Sequence, residues 1–213
     1  MLDLCFKAIV YACNQLFYGF AALPLGWSTS RSDCKSMQSY VSMLRGVNVG
    51  GKNIINMEKL RSLYESLNLE NPRTYLQSGN VVFGSSLAST ELTSLLSKKI
   101  ELKFNLNVPI VIRSYDELAR IVDRVPYAKK DLSKVHVTFL SDAPKDFPKE
   151  AIDAFVGNGE KYRTNQSEIY LLLPNGYGRT KLTNNLFEKK LRLMATTRNW
   201  NTVDALLKMT AEE

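Results

Sequence analysis

Cysteine is scarce in this chain and unevenly placed. Of 213 residues only Cys5, Cys13 and Cys34 carry a thiol. A disulfide-stapled secreted fold spreads its cysteines through the body, so this one does not depend on disulfides and suits a reducing compartment. The same gap excludes a cysteine nucleophile or a thiolate metal site after Cys34. Histidine is scarcer still: His136 stands alone, inside "VHVTFL". A histidine-based zinc site needs more than one imidazole and is excluded. A Ser-His-Asp triad would have to use a residue that reads as part of a strand. No metal and no cofactor is expected.

The chain has enough apolar residues for a core, 45% hydrophobic against 23% charged, and is not of disordered composition. A net charge of +7 favours anionic partners such as phosphates, nucleic acid or acidic surfaces. The first 36 residues differ from the rest. They hold every cysteine, and "AIVYACNQLFYGFAALPLGW" (8–27) is uncharged. That is long enough to span a bilayer, but Asn14, Gln15 and Pro24 interrupt it, and Asp3 spoils the basic start of a signal peptide. Residues 1–36 are therefore read as an N-terminal extension outside the fold, with Met37 the natural beginning. An export or membrane segment and an added helix are the alternatives. No membrane role is expected for the body, and a cytoplasmic location is.

From Met37 the hydrophobic period alternates between two and 3.6. "SYVSMLRGV" (39–47) reads as a strand with a buried face. "NMEKLRSLYESLNL" is a helix capped by Asn56. "RTYLQ" and "NVVFGS" flank a tight turn at Ser78-Gly79-Asn80. A second helix, "STELTSLLSKKIELKF", and the strand "VPIVIRS" complete a β-α-β-β-α-β order, the ferredoxin-like pattern. Ser114 and Glu117 form a capping box for a third helix that ends at Pro126. The order then nearly repeats: "KVHVTFLS", "PKEAIDAFV", "KYRTN", "EIYLLLP", "LTNNLFEKKLRL", and a last helix "TVDALLKM" capped by Asn201 or Thr202. The expected architecture is α+β, with two ferredoxin-like halves at 37–113 and 135–213 joined by a connecting helix and linker at 114–134. In a right-handed β-α-β unit the first two strands are parallel. The loop after the first strand and the hairpin after the second should therefore meet at one sheet edge.

"YVSMLRGVNVGGKN", "RTYLQSGNVVF", "HVTFL", "IYLLLPNGYGRTKLTN", "EKKL" and "ATTRNWNT" resemble the bacterial family catalogued as domain of unknown function 1697, from Met37 to about Met209. The family has no established activity. The resemblance implies a fold and a starting residue, and it marks where unusual polar residues collect: Arg45–Asn53, Gln77–Asn80, Gly178–Asn185 and Thr196–Thr202.

"GVNVGGKN" comes within one residue of a P-loop, but Asn53 stands where magnesium needs a hydroxyl, and Ile54, Ile55 and Asn56 separate the lysine from the helix. The reading kept is weaker. N–H groups at Gly50, Gly51 and Lys52, with the Arg45 and Lys52 charges, form an anion-binding loop, against the alternative of a plain turn. Arg179, Lys181 and Asn184 precede a helix capped by Thr183, and Arg198, Asn199 and Trp200 precede the last helix. The candidate ligand-binding residues are thus Arg45, Asn48, Gly50, Gly51, Lys52, Asn53, Gln77, Ser78, Asn80, Arg179, Lys181, Asn184, Arg198, Asn199 and Trp200. No catalytic residue is assigned. The expected function is binding of a phosphorylated small molecule or nucleotide. One alternative is a nucleic-acid-binding module, because six basic residues stand against Glu188 between Arg179 and Arg198. Another is a metal-independent enzyme. Trp200 fits core packing better than base stacking, and the middle-strand candidates are mostly aliphatic, except Phe83, unlike the aromatic sheet of an RNA-recognition motif.

Overall fold

The fold is described from a computed structural model, for residues 36–212. The expectation that residues 1–36 form an extension falls on residues outside that range, apart from Ser36.

Two four-stranded antiparallel sheets carry the chain. The first contains β1 (Gln38–Leu44), β2 (Glu70–Tyr75), β3 (Asn80–Ser85) and β4 (Ile110–Ser114), in the order β2-β3-β1-β4. Between them run α1 (Met57–Glu65) and α2 (Ser89–Phe104), and α3 (Tyr115–Asp123) follows β4. The second sheet contains β5 (Val135–Leu140), β6 (Lys161–Asn165), β7 (Glu168–Leu172) and β8 (Ala195–Asn199), in the order β6-β7-β5-β8. Its helices are α4 (Lys149–Asp153), α5 (Asn184–Leu191) and, after β8, α6 (Trp200–Ala211).

The central strands are buried on both faces almost throughout, which explains the apolar run "VVF" and the mostly apolar "VHVTFL", where only His136 is partly exposed. On β1, Tyr40 and Leu44 face α1 and α2, where they pack with Leu60, Tyr64, Phe83, Leu92 and Leu96. The alternate residues Val41 and Met43 face the other way, into a core shared with Val137, Phe139 and Tyr170 of the second sheet and with α3 and α6. A third cluster, around Leu140, Ile169, Leu171 and Phe187, lies under α4 and α5. The two sheets are therefore not separate bodies. Trp200, Val203 and Leu206 of α6 pack in that shared core, and the Tyr170 hydroxyl donates to the Ile121 carbonyl of α3 at 2.8 Å. No helix among the described residues is long and apolar enough to cross a membrane.

Local signals set several boundaries. Asn56 caps α1 through the Lys59 N–H, and Ser114 and Glu117 form the reciprocal box that opens α3. Asn199 caps α6, accepting from the Thr202 N–H at 2.8 Å. The last helix thus begins earlier than its apolar period implies, and its cap is not Asn201 or Thr202. The first strand ends at Leu44 rather than Val47, because the chain turns at Gly46 with φ +66°. Helix α4 has five residues, from Lys149 to Asp153, shorter than "PKEAIDAFV" suggests.

Candidate functional site

The loop after β1 is a small hairpin. Lys52 N donates to the Val49 carbonyl at 3.1 Å across Gly50 and Gly51, whose φ values are +58° and +73°. A two-residue turn of type I′ needs positive φ at both centres, which glycine adopts without strain. The glycines that resemble a P-loop therefore close a hairpin, and α1 begins only at Met57.

This hairpin and the β2–β3 turn meet at one end of the sheet. Asn48 Nδ2 donates to the carbonyls of Gln77 (2.8 Å) and Ile55 (2.9 Å), and Asn48 Oδ1 accepts the Ile55 N–H. Leu44 N donates to the Gly79 carbonyl at 2.9 Å. Gly79 sits so close that a Cβ there would lie 2.9 Å from Leu44 Cβ. Asn53 donates back to the Gly46 carbonyl. These side chains replace the hydrogen bonds that a buried irregular backbone would otherwise lack. Gly50, Gly51 and Lys52 remain at the exposed tip.

Below the two turns lies Arg198, contributed by β8 and 9% exposed. All five of its N–H groups are used. Nε donates to Asn80 Oδ1 (2.6 Å), Nη1 to Thr196 Oγ1 and the Thr197 carbonyl, and Nη2 to the carbonyls of Leu44 (2.8 Å) and Ser78 (3.1 Å). Asn80 is held in turn, donating to Ser78 Oγ and the Tyr75 carbonyl. No carboxylate among the described residues accepts from Arg198. Burial pulls its pKa down to about 10, as expected for a cation taken from water without a counter-ion.

The second half reaches the same place through α5. Arg45 Nη2 donates to Asn185 Oδ1 (2.5 Å) and Glu188 Oε2 (2.7 Å), and its Nε lies 2.7 Å from Glu188 Oε1. One residue back, Asn184 Oδ1 accepts from Thr197 Oγ1 (2.6 Å), which contacts Thr138 Oγ1. The Asn184 N–H donates to the Tyr177 hydroxyl, and the Tyr177 ring stacks on His136 at 5.6 Å. Burial holds the His136 imidazole below its ordinary pKa.

Arg45, Asn48, Gly50, Gly51, Lys52, Asn53, Gln77, Ser78, Asn80 and Arg198 thus gather around two touching turns, with Asn184 at the near end of α5. Arg179 and Lys181 are exposed, and their side chains make no hydrogen bond or ion pair among the described residues. Asn199 is a helix cap, and Trp200 lies in the shared core. Sequence reasoning missed Glu188 and Tyr177, and it marked Asn185 and Thr197 only as members of the polar stretches Gly178–Asn185 and Thr196–Thr202. Glu188 had a signal, as the one acid in a basic run. It also missed the buried pair Arg113–Glu168, whose signal was a charge inside the apolar run "IVIRS". No cluster of three or more His, Cys, Asp or Glu that could hold a metal occurs among the described residues.

Comparison with known proteins gives a fold and a family. No curated protein matches the chain. Among solved structures, a conserved bacterial protein of Streptococcus pneumoniae superposes with a TM-score of 0.60 at 21% identity, over 82% of this chain and 99% of its own. That likeness is one of fold. An unknown protein of Galdieria sulphuraria aligns over 83% of this chain and 93% of its own, with a TM-score of 0.24 and 11% identity, too low to bear on the fold. The sequence model described as "Protein of unknown function (DUF1697)" matches residues 37–170, and the chain belongs to that family.

Proposed function

We propose that the protein binds a small phosphorylated molecule, a nucleotide included, at the tip formed by the 45–54 hairpin and the 76–80 turn. The observation that carries this reading is the uncompensated charge of Arg198, seen against an equivalent residue in the other half. Arg113 holds the corresponding place in β4. Its Nη1 donates to the Ile112 carbonyl as that of Arg198 does to Thr197, and its Nη2 donates to the Leu140 carbonyl as that of Arg198 does to Leu44. The Nε partners differ: Arg113 meets the Glu168 carboxylate at 3.0 Å, whereas Arg198 meets the neutral Asn80. Each arginine starts from the fourth strand of its own sheet and ends on the first and third strands of the other. One charge is neutralised and one is not. In a poorly solvated setting a lone cation raises the local potential, and the hairpin that follows its acceptor Leu44 carries the exposed Lys52 and the N–H groups of Gly50 and Gly51, which have no acceptor among the described residues. An anion there gains fixed donors without having to order them.

The same correspondence supports reading each half as a ferredoxin-like unit and the pair as a duplication: one strand order, one helix order, and reciprocal arginines. A cytoplasmic setting goes with this reading, since nothing after Cys34 can form a disulfide.

The test is calorimetric titration of the full chain with adenosine monophosphate, sugar phosphates and oligonucleotides, in wild type and in Lys52→Ala. The reading expects a phosphorylated small molecule to bind and to lose at least tenfold in Lys52→Ala, about 1.4 kcal/mol. Lys52 is exposed, so the fold should lose no more than about 0.5 kcal/mol. Oligonucleotide binding with a steep salt dependence, abolished by neutralising Lys189, Lys190 and Arg192, would instead favour the nucleic-acid alternative.

A further inference from the structure

The correspondence between the halves also identifies a place where they differ in shape. Arg45 follows β1 directly, donates its backbone N–H to the Pro109 carbonyl, and throws its side chain across to Asn185 and Glu188 on α5. Ser141 follows β5 in the same way and donates its N–H to the Met194 carbonyl. Pro109 and Met194 both stand just before the last strand of their sheets. The helix opposite Ser141 is α2, and its residues at the places of Asn185 and Glu188, counted from the helix start, are Thr90 and Thr93. Three short side chains replace an arginine, an asparagine and a glutamate. A groove of about 620 Å³ lies open there, lined by the first turns of α2, the edge of β4, Ser141–Ala143 and the Gln166–Ser167 turn. That volume lies within the range of small-molecule sites, roughly 300–1,000 Å³.

Its lining combines one buried polar group with partly or fully exposed ones that keep free capacity. Arg113 lines the groove and is 7% exposed. Its bonds to Glu168, Ile112, Leu140 and Ser167 use four N–H groups. The fifth, on Nη1, has no acceptor among the described residues, whereas Arg198 has none to spare. Glu117 uses one carboxylate oxygen on the Ser114 N–H and Asp142 uses one on the Ala143 N–H, so each keeps an oxygen without a partner among the described residues. The hydroxyls of Thr93 and Ser94 donate to backbone carbonyls of α2 and retain acceptor capacity.

We propose that this groove binds a neutral polyhydroxylated molecule, a mono- or disaccharide or a cyclic polyol. Glu168 neutralises the Arg113 charge, and the other ionised groups on the walls are carboxylates, so a phosphate would meet repulsion. Hydroxyl groups suit both halves of the lining. They donate to the free oxygens of Asp142 and Glu117 and accept from Arg113 Nη1 and the Gln166 amide. Ala143 and the aliphatic edge of β4 offer an apolar wall to ring C–H groups.

Saturation-transfer NMR on the full chain, with glucose, maltose and myo-inositol offered singly, tests this. At least one should bind. Ser141→Arg, which places in this groove the residue that spans the equivalent place, should abolish the signal, and Asp142→Ala should weaken binding at least tenfold. Lys52→Ala should leave it unchanged, so failure of the phosphate reading and failure of this one are separable. Absence of binding by all three compounds, or binding that survives Ser141→Arg, would overturn the proposal.

Discussion

Replacing Arg198 by methionine removes five donors, three of which join β8 to Leu44, Ser78 and Asn80 of the first half, while keeping an unbranched apolar stem. Two of the acceptors left behind, Leu44 O and Asn80 Oδ1, belong to residues with 0% exposure. A buried acceptor stripped of its donor costs about 1–3 kcal/mol, so these two together cost about 2–6 kcal/mol. Against this stands the relief of no longer burying a cation without a counter-ion, an effect that can repay much of the loss. The expected net loss is about 2–4 kcal/mol. For a chain of this size that lowers Tm by roughly 4–16 °C, at about 2–4 °C per kcal/mol. Differential scanning calorimetry reads it directly. Glu168→Gln is the matched control: it leaves Arg113 on a neutral oxygen, the arrangement Arg198 already has, and should cost less, about 1–3 kcal/mol. An unchanged or raised Tm for Arg198→Met would refute the claim that this guanidinium ties the halves together.

Gly79→Ala should be among the most disruptive single-methyl changes, because its Cβ would meet Leu44 Cβ at 2.9 Å and its φ is +71°. A loss of about 1–3 kcal/mol in chemical denaturation is expected, and wild-type stability would contradict the close approach of the two turns. The folded-state pKa of His136 is depressed below its ordinary 6.5, so the unfolded chain binds the proton more tightly than the folded one. Its contribution to stability is complete above about pH 6.5 and declines as pH falls through the folded-state pKa. Melting scans of His136→Phe, which keeps an aromatic ring against Tyr177, should show a flatter acid limb than wild type. Identical limbs would show that this histidine does not set it.

Much of the architecture was legible because periodicity and caps agree. Asn56, Ser114 with Glu117, and Thr183 each stand before a helix and each caps it. The meeting of the 45–54 and 76–80 turns also followed from the parallel relation of β1 and β2. What was not legible depends on contacts distant in sequence. Arg198 and Asn80 are joined across 118 positions, and nothing local in "ATTRN" says that its guanidinium will be enclosed and fully bonded. Arg113 shows the same limit, since its partner Glu168 lies 55 residues on. The glycines of "GVNVGGKN" were ambiguous for a physical reason: both a phosphate loop and a two-residue hairpin use left-handed backbone. Asn53 and the gap before the helix already spoke against the first, and the Lys52–Val49 hydrogen bond identifies the second. Asn199 was hidden as a cap because the apolar period begins after it, while the helix begins at the buried Trp200.

The central claim is that an anion binds at the Gly50–Lys52 hairpin tip, and amide NMR tests it most directly. In a ¹⁵N–¹H correlation titration of the full chain with adenosine monophosphate, and separately with inorganic phosphate, the Gly50, Gly51 and Lys52 amides should shift saturably, and Lys52→Ala should abolish the response. If those amides stay still while both compounds reach saturation elsewhere, or if the shifts fall only on Lys189–Arg192, the account of this site is contradicted.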